Sequence, residues 1–177
     1  MKTKFNLIKS MPMILVFLLV FIACNSSKND ASKIESGYEI APVQYSVLAE
    51  KSLDFLSSFE FDSFASMLAD NVAYEFPDGE KISGKTALIN YWKNYKITSS
   101  IASMKIINAN YLPINTPINL KNNEDAGVKV LADFTNIMII KGKETSIKMN
   151  FSIHFNKEKL IDRVDTFYDS SKLKAVH

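Results

Sequence analysis

Apolar residues recur at helical spacing in the first part of the chain after residue 42, and at strand spacing in the second part. Between Val43 and Phe59, apolar side chains return every three or four positions, so they share one face of a helix. A shorter apolar group around Phe64 predicts a second helix, which Asp62 can cap by accepting from exposed backbone N–H groups. We expect the Asp-Asn pair at residues 70–71 to end it.

A strand, a turn and a third helix are predicted next. Val72–Phe76 alternates weakly between apolar and polar side chains, and Pro77–Gly79 is a turn signal. Ser83 is expected to cap the following helix, where Leu88 and Tyr95 belong to an apolar face with helical spacing.

The C-terminal half has the pattern of long strands. Apolar runs cover Ile101–Leu112, Ala126–Ile140, Glu144–Phe155 and Leu160–Tyr168, and the segment Pro113–Asp125 is typical of a loop. The third run alternates strictly, which indicates one buried face and one face in water. Helices followed by an antiparallel meander predict an α+β fold, with one curved sheet carrying helices on one face.

The first 23 residues have the pattern of a secretory signal. Lys2, Lys4 and Lys9 precede the uncharged apolar run Met11–Ile22. This run is too short to span a hydrocarbon core of ~30 Å comfortably, and Pro12 also argues against an uncleaved membrane helix.

The apolar run ends at Ala23 and Cys24, the only cysteine in the chain, so an internal disulfide is excluded. A small residue before cysteine resembles the lipobox of bacterial lipoproteins. The resemblance implies that Cys24 becomes the N-terminus and carries acyl chains, which would hold the protein on a membrane of the bacterial cell envelope. We expect residues 1–23 to be the signal peptide and residues 24–42 to be the acylated cysteine with a flexible tether.

The charge balance argues against nucleic acid as a partner. The chain has 21 Lys and Arg residues against 19 Asp and Glu residues. Removing residues 1–23, with three lysines and no acid, leaves 18 against 19. Such a near-neutral chain lacks the basic surface that nucleic-acid binding requires.

The element order and two segments resemble the nuclear transport factor 2-like superfamily, and its SnoaL-like branch in particular. The segments are DSFASMLADNVAYEFPDG, residues 62–79, and SGKTALINYW, residues 83–92. The resemblance implies one domain over residues 43–170, followed by a tail at 171–177. Its fold would be a cone, or cystatin-like α+β barrel, in which a strongly curved antiparallel sheet wraps around N-terminal helices. An apolar pocket would open at one end.

Aromatic side chains are the expected lining of that pocket. The resemblance implies the following set: Phe55, Phe59, Phe76, Tyr91, Trp92, Phe151 and Phe167. Tyr91 and Trp92 also fit an ordinary helix core. Ketosteroid isomerases of the superfamily use two acids and a tyrosine, but the matching positions here hold Phe76, Phe151 and Ser52. An isomerase of that kind is therefore not expected.

Three polar residues are candidates for catalysis. Asp133 interrupts an apolar run, where burial could raise its pKa and make it a base, unless its face of the strand is the outer one. Arg163 and Asp165 share a face that the resemblance places in the pocket, where the pair could orient a water, or else be purely structural. Glu75 and His154 are expected to be exposed, and nothing predicts a metal or a cofactor.

Three hypotheses about function follow, because members of the superfamily include isomerases, cyclases, hydrolases and proteins that only bind or dimerise. The first is a lipid-anchored module that binds a small hydrophobic molecule without catalysis. The second is an enzyme of the hydrolase, isomerase or cyclase kind that uses the acids named above. The third is a homodimerisation module whose interface is the polar stripe Lys148, Asn150, Ser152 and His154.

Overall fold

The computed structural model describes residues 39–116 and 127–174, which belong to one compact unit, Ser36–His177. The predictions for the signal peptide, for Cys24 and for most of the tether lie outside the described residues. Within the described ranges, no helix is both long enough and apolar enough to cross a membrane.

Four helices and seven strands make up the described part of the chain. The helices are α1 (Gln44–Ser57), α2 (Phe61–Ser66), α3 (Lys85–Thr98) and α4 (Ser171–Lys174). The strands are β1 (Glu39–Ile40), β2 (Leu68–Glu75), β3 (Lys81–Ser83), β4 (Ile101–Thr116), β5 (Gly127–Ile140), β6 (Lys143–Phe155) and β7 (Ile161–Tyr168).

The strands form one curved, open sheet in the order β1-β4-β5-β6-β7-β2-β3. All neighbours are antiparallel except β2 and β7, which are parallel. The long strand β4 is irregular between Ile107 and Asn110, where Asn108 has a φ of 53°. Such a bulge bends a strand and increases its twist, which suits a sheet that curves around helices.

Alternation along β5 and β6 places the core on one face of the sheet. Ala132 and Phe134 of β5 and Phe151 and Ile153 of β6 are buried on this inner face. Leu53 of α1 belongs to the same apolar cluster, because the helices pack against the inner face. The predicted α+β class and the helix-covered curved sheet are confirmed.

The structure corrects the expected start of the domain. Glu39 and Ile40, placed by the sequence in the tether, pair with Asn115 and Ile114 of β4, and Ala41 is buried. The domain therefore begins before Val43.

The predicted helix boundaries are also partly wrong. Neither Asp62 nor Ser83 caps a helix: α2 follows Glu60, α3 follows Gly84, and neither helix has a side-chain cap. The Asp-Asn pair at 70–71 lies inside β2 rather than at a helix end. Pairing of Leu68 with Ile161 of β7 draws this segment into the sheet, so tertiary pairing overrides the local turn preference.

Candidate functional site

An apolar cavity lies between the inner face of the sheet and the helices. The cavity volume is about 60 Å³, within about 610 Å³ of space between protein atoms that includes the part open to solvent. Its lining comes from three helices and five strands. The helical residues are Leu53, Leu56, Ser57, Tyr91, Trp92, Tyr95 and Leu173. The residues in strands or directly after one are Tyr74, Phe76, Met104, Ile106, Phe134, Asn136, Met138, Met149, Phe151 and Tyr168.

Aromatic rings form one wall of the cavity around the buried Tyr74. Its ring centre lies 4.9 Å from that of Phe76, 5.7 Å from that of Trp92 and 6.4 Å from that of Phe151. The Trp92 and Phe151 contacts are edge-to-face, the arrangement that the charge distribution of aromatic rings favours. This side of the cavity is therefore lined by aromatic rings that pack against one another through Tyr74.

Methionines from three neighbouring strands form another part of the lining, beside Phe134 and Phe151 on the inner face of the sheet. Met104 comes from β4, Met138 from β5 and Met149 from β6. Methionine is unbranched and polarizable, so it adapts to irregular shapes and makes favourable contacts with rings. The cavity can therefore change its volume on this side without breaking a strand.

Two buried polar atoms interrupt the apolar lining. Oδ1 of Asn136 and Nε1 of Trp92 have no hydrogen-bond partner among the described residues. Asn136 is only 8% exposed, and its Nδ2 lies 4.0 Å from Sδ of Met104, a weak acceptor. Sequence reasoning missed Asn136, although its alternation with Ala132, Phe134 and Met138 was a visible signal of an inward amide.

The tyrosines of the cavity are neutral at physiological pH. Burial is the main cause that raises the pKa of Tyr74, Tyr95 and Tyr168, and it raises the pKa of Tyr91 to about 12. Neutral phenols can donate or accept a hydrogen bond, but they are poor bases near pH 7. The described residues that line the cavity include no Asp, Glu, His, Lys or Arg.

Four of the predicted pocket residues lie in the cavity wall: Phe76, Tyr91, Trp92 and Phe151. Phe55 and Phe59 instead pack at the edge of the core, with Lys51 Nζ 5.4 Å and Lys96 Nζ 3.8 Å from their ring centres. The prediction for these two was wrong because the side of α1 that carries Leu53 and Leu56 faces the cavity, whereas Phe55 lies on another side and Phe59 follows the end of the helix.

Phe167 was also placed wrongly, since it is 58% exposed on the outer face of the sheet. The same error applies to Arg163 and Asp165. Alternation along β7 turns Val164 and Thr166 inward, so Arg163, Asp165 and Phe167 point outward.

Arg163 and Asp165 lie in an outer groove beside Phe167. Nε of Arg163 is 3.6 Å from Oδ2 of Asp165, and Glu75 is bound to Lys81 at 2.9 Å in the same groove. These opposite charges are arranged as pairs, which favours the structural interpretation of Arg163 and Asp165.

Asp133 lies outside the cavity as well. It is exposed on the outer face of β5 and accepts a hydrogen bond of 2.6 Å from Nδ2 of Asn150. Its neighbours Ala132 and Phe134 point inward instead. The three candidate catalytic residues therefore do not meet at the cavity.

His154 is not exposed, as the sequence suggested, but is buried. Its Nδ1 forms a hydrogen bond with Asp162. The predicted polar stripe is consequently uneven, with Lys148 exposed, Asn150 and Ser152 partly buried and His154 inside. Among the described residues, no group of three His, Cys, Asp or Glu side chains could hold a metal ion.

Solved structures share this arrangement of helices and sheet. A proposed polyketide cyclase from Xanthomonas campestris matches with 14% identity and a TM-score of 0.58, over 76% of this chain and 98% of that one. An NTF2-like protein from Anabaena variabilis matches with 16% identity and a TM-score of 0.55, over 74% and 95%. The domain has the nuclear transport factor 2-like fold.

An LEH-like epoxide hydrolase from M. tuberculosis shares the NTF2-like fold too, with 14% identity, a TM-score of 0.54 and coverage of 76% and 89%. At these identities the likeness shows the fold alone. No protein-family model matches the sequence, and neither does any curated protein. The predicted resemblance is confirmed at the level of the fold.

The structure also locates the three residues that stand where a ketosteroid isomerase would carry its reactive groups. Phe76 and Phe151 line the cavity as apolar rings. Ser52 is buried in α1, and its hydroxyl donates to the carbonyl of Ala49 at 2.7 Å. None of these three positions therefore presents an acid or a phenol to the cavity.

Proposed function

We propose that this domain binds a small, mainly apolar molecule in its NTF2-like cavity and does not transform it. The observation that carries the proposal is an apolar space that the surrounding rings and methionines leave open. Protein interiors are normally packed as densely as organic crystals, and an apolar void loses dispersion contacts. A ligand would restore those contacts, so a preformed apolar cavity is the default candidate for a binding site.

An enzymatic role has less support. A hydrolase, isomerase or cyclase needs groups that move protons or stabilise charge beside the bound molecule. Asp133, Arg163 and Asp165 lie on the outer face of the sheet, away from the cavity. The neutral phenols inside supply hydrogen bonds without supplying a base.

Native mass spectrometry tests the binding proposal. The protein would be the chain from residue 24 onward with Cys24→Ser, purified gently from its own host so that a resident ligand survives. We expect a co-purifying small molecule. Ile106→Trp should abolish it, because Ile106 lines the cavity and a larger side chain would fill the space.

Ile107→Trp provides the matched control. Ile107 is the next residue of β4 and belongs to the opposite face, so its substitution should leave the ligand in place. A wild-type domain that is always empty, or a ligand retained equally by both variants, would contradict binding in this cavity.

We also propose that the protein is a lipoprotein, anchored to the bacterial cell envelope through acyl chains on Cys24. The support is the order of Lys2, Lys4 and Lys9, the apolar run and Ala23-Cys24 in the sequence. Membrane fractionation and mass analysis of the N-terminal peptide test this. Wild type should sediment with membranes and begin at an acylated Cys24, and Cys24→Ala should lose the acyl chains. An N-terminal peptide with an unmodified Cys24 would overturn the assignment.

A further inference from the structure

Asn136 is an amide in an apolar wall. It lies on the inner face of β5, two residues from Phe134 and two from Met138, both of which line the same cavity. Its side chain is more than nine-tenths buried, and its Oδ1 has no hydrogen-bond partner among the described residues. A buried acceptor without a partner is destabilising, and native proteins contain few of them.

Trp92 presents a second such atom from the helical side of the cavity. Its Nε1 is buried and has no partner among the described residues. The ring is held by edge contacts with Tyr74 at 5.7 Å and Tyr95 at 5.9 Å, so the N–H direction is fixed. Indole nitrogen can only donate.

Two tyrosine hydroxyls of the cavity already have partners. Tyr74 is hydrogen-bonded with Thr166, whose own hydroxyl donates to the carbonyl of Glu75 at 2.8 Å. Tyr95 is hydrogen-bonded with Ser99. The acceptor of Asn136 and the donor of Trp92, by contrast, have no hydrogen-bond partner among the described residues.

We infer that the ligand is a compact neutral molecule with a hydroxyl group, of the phenol or ring-alcohol class, and that Asn136 and Trp92 determine this specificity. A hydroxyl oxygen can accept from Nε1 of Trp92, and a hydroxyl hydrogen can be donated to Oδ1 of Asn136. The aromatic and methionine walls hold the ring. This inference rests on the proposed binding function.

Charged ligands fit the cavity less well. A carboxylate would be desolvated without a cation, since no Lys or Arg is among the described lining residues. A quaternary ammonium could face the rings, but it would leave the Trp92 N–H and the Asn136 acceptor unpaired. A neutral hydroxyl carries both the hydrogen that the Asn136 acceptor needs and the lone pair that the Trp92 donor needs.

Calorimetric titration with p-cresol and p-xylene tests the inference, because the two molecules have the same shape and differ by a hydroxyl against a methyl group. The protein is the chain from residue 24 with Cys24→Ser. We expect p-cresol to bind at least about fivefold more tightly than p-xylene, the effect of one net hydrogen bond. Asn136→Leu and Trp92→Phe should each reduce that preference while p-xylene still binds.

Asn150→Leu is the matched control, since Asn150 is an asparagine on the outer face of the neighbouring strand. It should keep the full preference for p-cresol. Thermal unfolding without ligand separates binding from structure: Asn136→Leu should unfold at the same or a higher temperature, because it removes an unpaired amide.

The outcomes distinguish the two proposals. Equal affinity for p-cresol and p-xylene, or a preference that survives both substitutions, would overturn the hydroxyl inference and leave apolar binding intact. A lower unfolding temperature for ligand-free Asn136→Leu would assign Asn136 a structural role and also overturn the inference. Absence of binding by either probe would count against the binding function itself.

Discussion

His154 and Asp162 form a buried hydrogen-bonded pair where β6 turns into β7, with Nδ1 2.5 Å from Oδ1. The His154 side chain is 10% exposed and that of Asp162 is 25% exposed. An imidazole N–H buried at this depth needs an acceptor, because an unpaired buried donor costs more than the net gain of making the bond. The pair therefore fixes the end of the hairpin near Gly127.

Removing the carboxylate should destabilise the domain. We expect Asp162→Ala to lower the free energy of unfolding by about 1–3 kcal/mol, since it leaves a buried imidazole donor without its acceptor. Urea denaturation at neutral pH measures this. Asp62→Ala is the control, because Asp62 is 98% exposed and pairs with Lys93 at 3.5 Å. Equal effects of the two substitutions would show that the buried pair has no special role.

Gly127 depends on the same imidazole. A Cβ at this position would lie 2.8 Å from Nε2 of His154, and the backbone φ of 139° is unfavourable for other residues. Gly127→Ala should therefore destabilise the domain more than Gly142→Ala, whose φ is 76° but whose Cβ would meet nothing within 4 Å.

Gly142→Ala gives the cost of a positive φ without a clash, and Gly127→Ala adds the clash and a φ further from the left-handed region. Gly142→Ala is expected to cost about 1–2 kcal/mol from its left-handed backbone alone. Denaturant unfolding of both variants gives the difference. If Gly127→Ala proved no worse than Gly142→Ala, the imidazole would not be held rigidly by Asp162.

The fold was largely predictable because its elements have strong periodic patterns. The alternation through Glu144–Phe155 and the helical spacing before Phe59 correspond to β6 and α1. The errors occurred at segments whose structure is decided by pairing with strands that are distant in the sequence. Leu68 joins the sheet through Ile161, and Glu39 and Ile40 join it through the edge of β4. Neither pairing leaves a local signal.

The site was less predictable because the register of a strand decides which of its side chains face the core and which face solvent. Shifting by one residue turns a side chain from the core to solvent, and this explains the misplacement of Asp133, Arg163 and Asp165. These residues were chosen as candidates because they are charged side chains within apolar strands. The polar group that enters the cavity is the uncharged Asn136, which alternates with Ala132, Phe134 and Met138 on the inner face of β5.

The buried tyrosines predict a loss of stability at high pH. Tyrosine ordinarily has a pKa of 10.0, and burial raises the pKa of folded Tyr91 to about 12. Below pH 10 both states keep the proton. Between about pH 10 and pH 12 the unfolded chain releases it first, so the free energy of unfolding falls as pH rises through this window.

Denaturant unfolding at a series of alkaline pH values measures that fall, and ultraviolet absorbance of the phenolate follows the titration. Tyr91→Phe should make the decline shallower. Tyr74, Tyr95 and Tyr168 act in the same direction, because burial raises their pKa values too. A free energy of unfolding that stays constant across the window would contradict the burial of these phenols.

Phe134 and Phe151 meet edge-on at the bottom of the cavity, with ring centres 5.0 Å apart and planes at 75°. Both rings are 5% exposed. Phe151→Ala should therefore lower the free energy of unfolding by about 3–5 kcal/mol, through lost burial and the void that remains. The same void adjoins the ligand cavity, so a larger apolar probe should restore part of the lost stability.

Phe167→Ala is the control for that experiment, since Phe167 lies exposed on the opposite face of the sheet. It should be only weakly destabilising, and no apolar probe should raise its unfolding temperature beyond the wild-type response. Thermal unfolding with p-xylene and a bulkier analogue compares the two variants. Rescue of Phe151→Ala alone would place the added space within the binding cavity. Equal responses of both variants would show that the void closes or that the probe binds elsewhere.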